Sequence, residues 1–174
     1  RIGIGLAVLA VVALPQSAAG QEESYRLDAG DQIKIQVYRE QELDREVRVG
    51  ANGMISYPLI GEVKAAGLTP HELAETITNR LRGDFFTNPK VTVTVMEYRP
   101  FYVNGEVEKP GGYPYQPGLT VRKAVSLAGG FKERASQSKI YVFKAGNTGA
   151  VPVRAGLDTP VGPGDVLTIE QSFF

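Results

Sequence analysis

The chain has 174 residues, enough for one large domain or two small ones, and 43% of them are apolar, an ordinary share for a packed globular core. Its 19 basic and 19 acidic residues cancel, so it lacks the clustered excess of Lys and Arg with which a nucleic-acid binder displaces counterions from phosphate, and nucleic acid is excluded as a partner. It contains no cysteine, which excludes disulfide staples, thiolate catalysis and a lipidated Cys at a cleavage site.

Residues 1–20 stand apart from the rest. Arg1, the apolar run from Ile2 to Leu14, the helix-breaking Pro15 and the small residues Ser17, Ala18, Ala19 and Gly20 predict a secretory signal peptide, cut after Ala19 or Gly20. The apolar run falls short of the roughly 20 residues that span a hydrocarbon core. The expectation is therefore a secreted, non-lipidated protein, soluble or peripheral, in the periplasm.

Residues 21–100 read as a first unit. Tyr25 to Asp31 form a turn, and the alternation from Ile33 to Tyr38 predicts a strand with Ile33, Ile35 and Val37 on one face. Val47–Val49 and Met54–Tyr57 flank Gly50-Ala51-Asn52-Gly53, whose Asn-Gly pair predicts a tight hairpin between them. After Pro58 and Gly61 comes a helix start, with Thr69 as N-cap, Pro70 at the first helical position and Glu72 completing a capping box. Leu73, Ile77 and Leu81 repeat at four-residue spacing and Gly83 ends the helix. Asn88-Pro89 then leads into Val91–Val95, β-branched at every position and hence a strand.

Residues 101–174 read as a second unit. Phe101–Val107 is a strand, Lys109-Pro110-Gly111-Gly112 a turn, and Tyr113-Pro114-Tyr115 a short return whose proline suits a sheet edge. Thr120 caps a short helix that ends at Gly129-Gly130. Lys139–Phe143, Ala150–Arg154 and Val166–Glu170 predict further strands. The last is launched by Gly164-Asp165, echoing Gly30-Asp31 ahead of the first: a Gly permits an unusual turn, and an Asp carboxylate accepts backbone N–H bonds within it. The fold class is α+β, two small mixed-sheet domains each with one packed helix.

Chemistry finds little to work with. The single His71 falls in the first turn of a helix, a solvated position, and cannot build a triad. Glu40, Glu42, Asp44 and Glu46 alternate with Arg39 and Arg45 as a self-neutralising loop and not as a metal site. Asp31 and Asp165 are explained by their turns before any glycosidase role. Gly111-Gly112 and Gly129-Gly130 lack the strand-to-helix context of a phosphate loop. Tyr98, Tyr102, Tyr113 and Tyr115 gather around the join between the units, where they either stack on sugar rings or serve packing and subunit contact.

These fragments, in their order, carry a resemblance. Tyr25 to Asp31, Asn52 to Gly61, Gly67 to Leu73 and Asn88 to Val95 resemble the polysaccharide export domain of the outer-membrane polysaccharide export family. Val103 to Gly111, Leu119-Thr120 to Gly129-Gly130, and Pro163-Gly164-Asp165 resemble a soluble-ligand-binding β-grasp (SLBB) domain, so the second unit is expected to be β-grasp-like. In this pattern Gly30, Asp31, Asn52, Gly53, Pro58, Gly61, Gly105, Pro110, Gly111, Gly129, Gly130, Gly164 and Asp165 are structural positions. The resemblance implies a periplasmic, outer-membrane-associated ring of identical subunits through which capsule or exopolysaccharide passes, coupled to an inner-membrane polysaccharide co-polymerase. It implies no enzyme activity, catalytic residue, metal or cofactor. Many members are lipoproteins, and larger ones add β-grasp repeats and a C-terminal pore helix. This chain lacks the Cys and ends just past its last predicted strand, so the expectation is a short member served by a separate outer-membrane pore. The alternative reading is a monomeric periplasmic carbohydrate-binding module.

Overall fold

In a computed structural model, residues 25–146 and 151–172 are described. The expected signal peptide, residues 1–20, lies outside them, as does Ala150 of the predicted Ala150–Arg154 strand.

Gly30 adopts φ of +96° and turns the chain into β1 (Gln32–Val37), where Ile33, Ile35 and Val37 are buried as the alternation predicts. A short 3₁₀ turn at Gln41–Leu43 precedes β2 (Arg45–Arg48). β3 (Met54–Tyr57) and β4 (Gly61–Lys64) form a two-stranded antiparallel sheet. Helix α1 (Pro70–Leu81) follows, and then β5 (Val91–Glu97). Both halves of the capping box are made: Thr69 Oγ accepts from the Glu72 N–H at 3.1 Å, and Glu72 Oε2 accepts from the Thr69 N–H at 2.8 Å. Leu73, Ala74, Ile77 and Leu81 form the buried stripe of α1. They close a core with β1, β3, β4 and β5 over a three-stranded antiparallel sheet of order β2-β1-β5.

The Asn52-Gly53 hairpin is a correction. β2 and β3 are not paired: β2 pairs with β1, and β3 turns away to pair with β4. The reason lies in Gly53, whose carbonyl accepts from the N–H groups of Ala65 and Ala66 at 2.9 and 3.0 Å, tying the turn to the far end of β4. Asn52 Oδ1 accepts from the Met54 N–H at 3.0 Å, so its side chain closes the turn locally. The hairpin instead crosses Pro58-Leu59-Ile60, with Leu59 at φ +69°.

The second unit is a five-stranded mixed sheet of order β7-β6-β10-β8-β9. Its strands are β6 (Phe101–Gly105), β7 (Gly111–Tyr113), β8 (Ala135–Phe143), β9 (Val153–Arg154) and β10 (Val166–Gln171). β10 lies parallel to β6 and antiparallel to β8, and β7 takes the edge its prolines predict. Helix α2 (Val121–Leu127), capped by Thr120, buries Val121, Ala124 and Val125 in a β-grasp-like core with Phe101, Val103, Ile140, Val142, Leu167 and Ile169. Gly105 sits at φ +87° so close to β10 that a Cβ would be driven into the Ile169 carbonyl oxygen. Among the described residues no helix is long and apolar enough to cross a membrane.

Candidate functional site: the junction between the two units

β5 ends at Glu97 and β6 begins at Phe101, so Tyr98, Arg99 and Pro100 form the entire connection between the units. Each makes contacts on both sides or anchors one side to the other. The Tyr98 ring packs edge-on against Tyr25 of the first unit, with centroids 4.9 Å apart, and against Tyr115 of the second, 5.4 Å apart. The Pro100 carbonyl accepts from the Gly164 N–H at 3.0 Å.

Arg99 joins the two Gly-Asp turns. Its backbone N–H donates to Asp31 Oδ1 at 2.8 Å, and its Nη1 donates to Tyr25 Oη at 2.7 Å and Asp31 Oδ2 at 3.2 Å. Asp31 Oδ2 also accepts from the Tyr25 hydroxyl at 2.5 Å and the Asp28 N–H at 2.9 Å. The Asp31 side chain is fully buried, while Arg99 is 17% exposed. On the other side, a Cβ placed on Gly164 would lie 2.8 Å from Arg99 Nε, so the absence of a side chain there makes room for the arginine.

Asp165 repeats the device. Its Oδ2 accepts from the Gly162 N–H at 2.7 Å and from Lys144 Nζ at 2.7 Å, and its Oδ1 accepts from the Ala145 N–H at 3.0 Å. In both turns the Asp binds the N–H three residues before it, and an N–H two residues beyond the antiparallel neighbour strand (Arg99 after Glu97, Ala145 after Phe143). The sequence echo is thus one physical motif used twice, each with its own cation.

Burial, then the hydrogen bond and charge of Asp31, push the Tyr25 phenol far above its ordinary range. Burial and, after it, Asp165 also raise Tyr115. Among the described residues no buried side-chain polar atom lacks a partner. The polar groups of the junction are thus engaged with one another, and together they tie one unit to the other.

The remaining predicted positions scatter. Tyr102 and Tyr113 are away from the Tyr25–Tyr98–Tyr115 stack: the Tyr102 ring covers Gly112, the residue paired with it on β7, and stays 45% exposed. Tyr113 packs on Phe101, with its hydroxyl donating to the Lys109 carbonyl. Pro58 and Gly61 flank the β3–β4 turn, Gly111 opens β7 after Pro110, and Gly129 and Gly130 follow α2 at positive φ. His71 is 82% exposed beside Glu75. Asp44 caps the Val37 N–H, and Arg45 bonds the Glu42 and Asp44 carbonyls, as a self-contained loop. Sequence reasoning named Tyr25 only as the opening of the first turn and did not single out Arg99 or Lys144. The Gly-Asp echo marked both carboxylates but asked of them only backbone N–H bonds within their own turns, so it did not reveal these partners.

Beside the junction runs an open groove of about 810 Å³ between β5 and the first turn of α1, ending at Tyr25 and Tyr98.

Comparison with known proteins places the two units in order. Residues 19–96 match the family described as polysaccharide biosynthesis/export protein, and residues 100–156 match the SLBB domain. The exopolysaccharide production protein ExoF of Rhizobium meliloti (strain 1021) is 37% identical over 139 residues, 73% of this chain and 33% of its own. The EPS I polysaccharide export outer membrane protein EpsA of Ralstonia solanacearum is 32% identical over 123 residues, covering 68% of this chain and 32% of its own. The polysialic acid transport protein KpsD of Escherichia coli is 29% identical over 133 residues, 75% of this chain and 24% of its own. The chain spans a third or less of the length of these relatives.

Proposed function

The chain belongs to the polysaccharide biosynthesis/export protein family, and on that premise we propose that it is a periplasmic, outer-membrane-associated component of a capsule or exopolysaccharide export system. The family is one of export proteins and not of enzymes. In this reading identical copies assemble into a ring that glycan passes, in partnership with an inner-membrane co-polymerase and an outer-membrane pore. The observation that carries it is the ordered pair of modules joined through a three-residue connection in which every residue is engaged. Such a connection makes a rigid building block, which a closed assembly with one repeated contact requires.

Deleting the coding sequence from its host and weighing surface polysaccharide tests the export role, and the mass of the gently extracted protein tests the ring. Unchanged polysaccharide would sink the first. A single-chain mass at all concentrations would sink the second.

One observation favours a second reading, a monomeric glycan-binding module: Tyr102 presents a half-exposed ring lying on a glycine, a geometry open to sugar stacking. Titration with host glycan separates the two, because saturable binding to a protein that stays single-chain favours the module.

A further inference from the structure

We propose that the outer face of the five-stranded sheet is a platform on which the travelling glycan chain stacks, a proposal that rests on the export reading and supplies its contact with the cargo. Helix α2 covers the other face, where Phe101, Val103, Ile140, Val142, Leu167 and Ile169 point inward. The residues between them turn the opposite way. Register sets Gly112, Tyr102, Val166 and Phe143 side by side across β7, β6, β10 and β8, with Asn104, Thr168 and Tyr141 abreast in the next row.

What the first row offers is ring surface: Tyr102 is 45% exposed and Phe143 38%. A Cβ on Gly112 would lie 2.9 Å from Tyr102 Cε1, so the missing side chain lets this ring settle against the sheet and leaves its outer side to solvent. Tyr102 and Phe143 flank Val166 at two strand spacings, roughly 10 Å. That separation suits rings that stack on alternate sugars of an extended chain. Asn104, Thr168 and Tyr141 bring amide and hydroxyl groups alongside, where sugar hydroxyls need partners.

Charge and area favour a glycan over an anion or a protein. Arg154, paired with Tyr141 from edge strand β9, is the one charged residue of these two rows, and its Nε donates to the Ser138 carbonyl at 2.8 Å. Two rings, each about two-fifths exposed out of the roughly 200 Å² such a side chain has to bury, leave on the order of 160 Å² uncovered. A stable protein interface takes about 800 Å² per partner. So small a contact binds weakly, as a passage requires, since its cargo has to leave each site as readily as it enters.

The probe is the host's purified surface polysaccharide, cut to oligosaccharides and titrated into the full chain by NMR. Amide shifts should gather on β6, β10 and β8 around Tyr102, Thr168 and Phe143. Tyr102→Ala and Phe143→Ala should each weaken binding about fivefold with circular dichroism unchanged, and Phe143→Ala carries the test should Tyr102→Ala disturb β7. Tyr102→Phe, which keeps the ring, should bind as the parent does, and so should Tyr38→Ala, which removes a tyrosine 63% exposed on the first unit. No saturable binding overturns the platform, as does binding indifferent to both ring removals. So does an assembly that Phe143→Ala disperses while glycan affinity holds, because the face is then a subunit contact. In cells, a deletion strain whose export the Tyr102→Ala/Phe143→Ala double variant restores in full refutes the platform and leaves the export role standing. A deletion strain with unchanged polysaccharide refutes the export role, and the titration then still decides whether the face binds glycan.

Discussion

Two aspartates with the same local geometry differ in what surrounds their cations. Arg99 is mostly buried against a fully buried Asp31, whereas Lys144, which serves Asp165, is about half exposed. Removing one partner of a buried pair leaves an uncompensated charge and costs about 3–5 kcal/mol, whereas water can solvate an exposed lysine that loses its partner. Asp31→Asn should therefore lower unfolding free energy by roughly 3 kcal/mol, and Asp165→Asn by clearly less, as read from urea denaturation. A second residue-scale prediction concerns Tyr57, almost fully buried, whose hydroxyl donates to the Leu43 carbonyl. Burial and then the Asp44 charge push its phenol up to about 12 from an ordinary 10. The folded chain thus holds this proton more tightly than the unfolded one. The stability it contributes is complete below pH 10 and is lost as pH climbs from 10 through 12. Tyr25 acts in the same direction. Denaturation midpoints should fall over that window, and Tyr57→Phe should make the fall shallower.

Helix α1 shows how local signals become an element. Thr69→Ala removes the cap oxygen and should cost about 1 kcal/mol in thermal or urea unfolding. α1 and β5 were legible in the sequence because their determinants lie within a few residues of one another: Thr69 with Glu72, Leu73 with Ile77, Val91 with Val93 and Val95. The β2–β3 hairpin misled because the rule for Asn-Gly weighs only the turn, and here the deciding bonds reach Gly53 from Ala65 and Ala66, on the far side of β4. The true hairpin was hidden for a related reason: it places Leu59, a residue that pays a steric cost at positive φ, where a glycine or asparagine would have announced the turn. The junction was half legible. The Gly-Asp echo marked both turns, but nothing near Arg99 in the chain shows that it lies between them, since its partners are 68 and 65 residues away on opposite sides. The tyrosine cluster divided for the same reason, Tyr98 and Tyr115 meeting through the fold while Tyr102 and Tyr113 follow their strands.

At the scale of the whole molecule, two separate cores depend on one short connection for their mutual orientation. If Arg99 holds that orientation, substitutions that displace it should loosen the units without unfolding either. Gly30→Ala and Gly164→Ala provide a matched comparison, because both place alanine at a positive φ, +96° and +79°, and so share a backbone penalty of about 1–2 kcal/mol. They differ in what the new Cβ meets. At Gly30 it finds the Arg99 Cβ at 3.5 Å, an ordinary contact, while at Gly164 it meets Arg99 Nε at 2.8 Å and Ala145 Cβ at 3.0 Å. Spin labels on cysteines at the exposed Glu75 of α1 and Arg122 of α2, clean sites in a cysteine-free chain, report the distance between the units. That distribution should be narrow in the parent, broadened by Arg99→Ala and Gly164→Ala, and little changed by Gly30→Ala. A distribution that stays narrow in Arg99→Ala would mean that the Tyr25–Tyr98–Tyr115 stack and the Gly164–Pro100 hydrogen bond suffice, and that the arginine serves only Asp31.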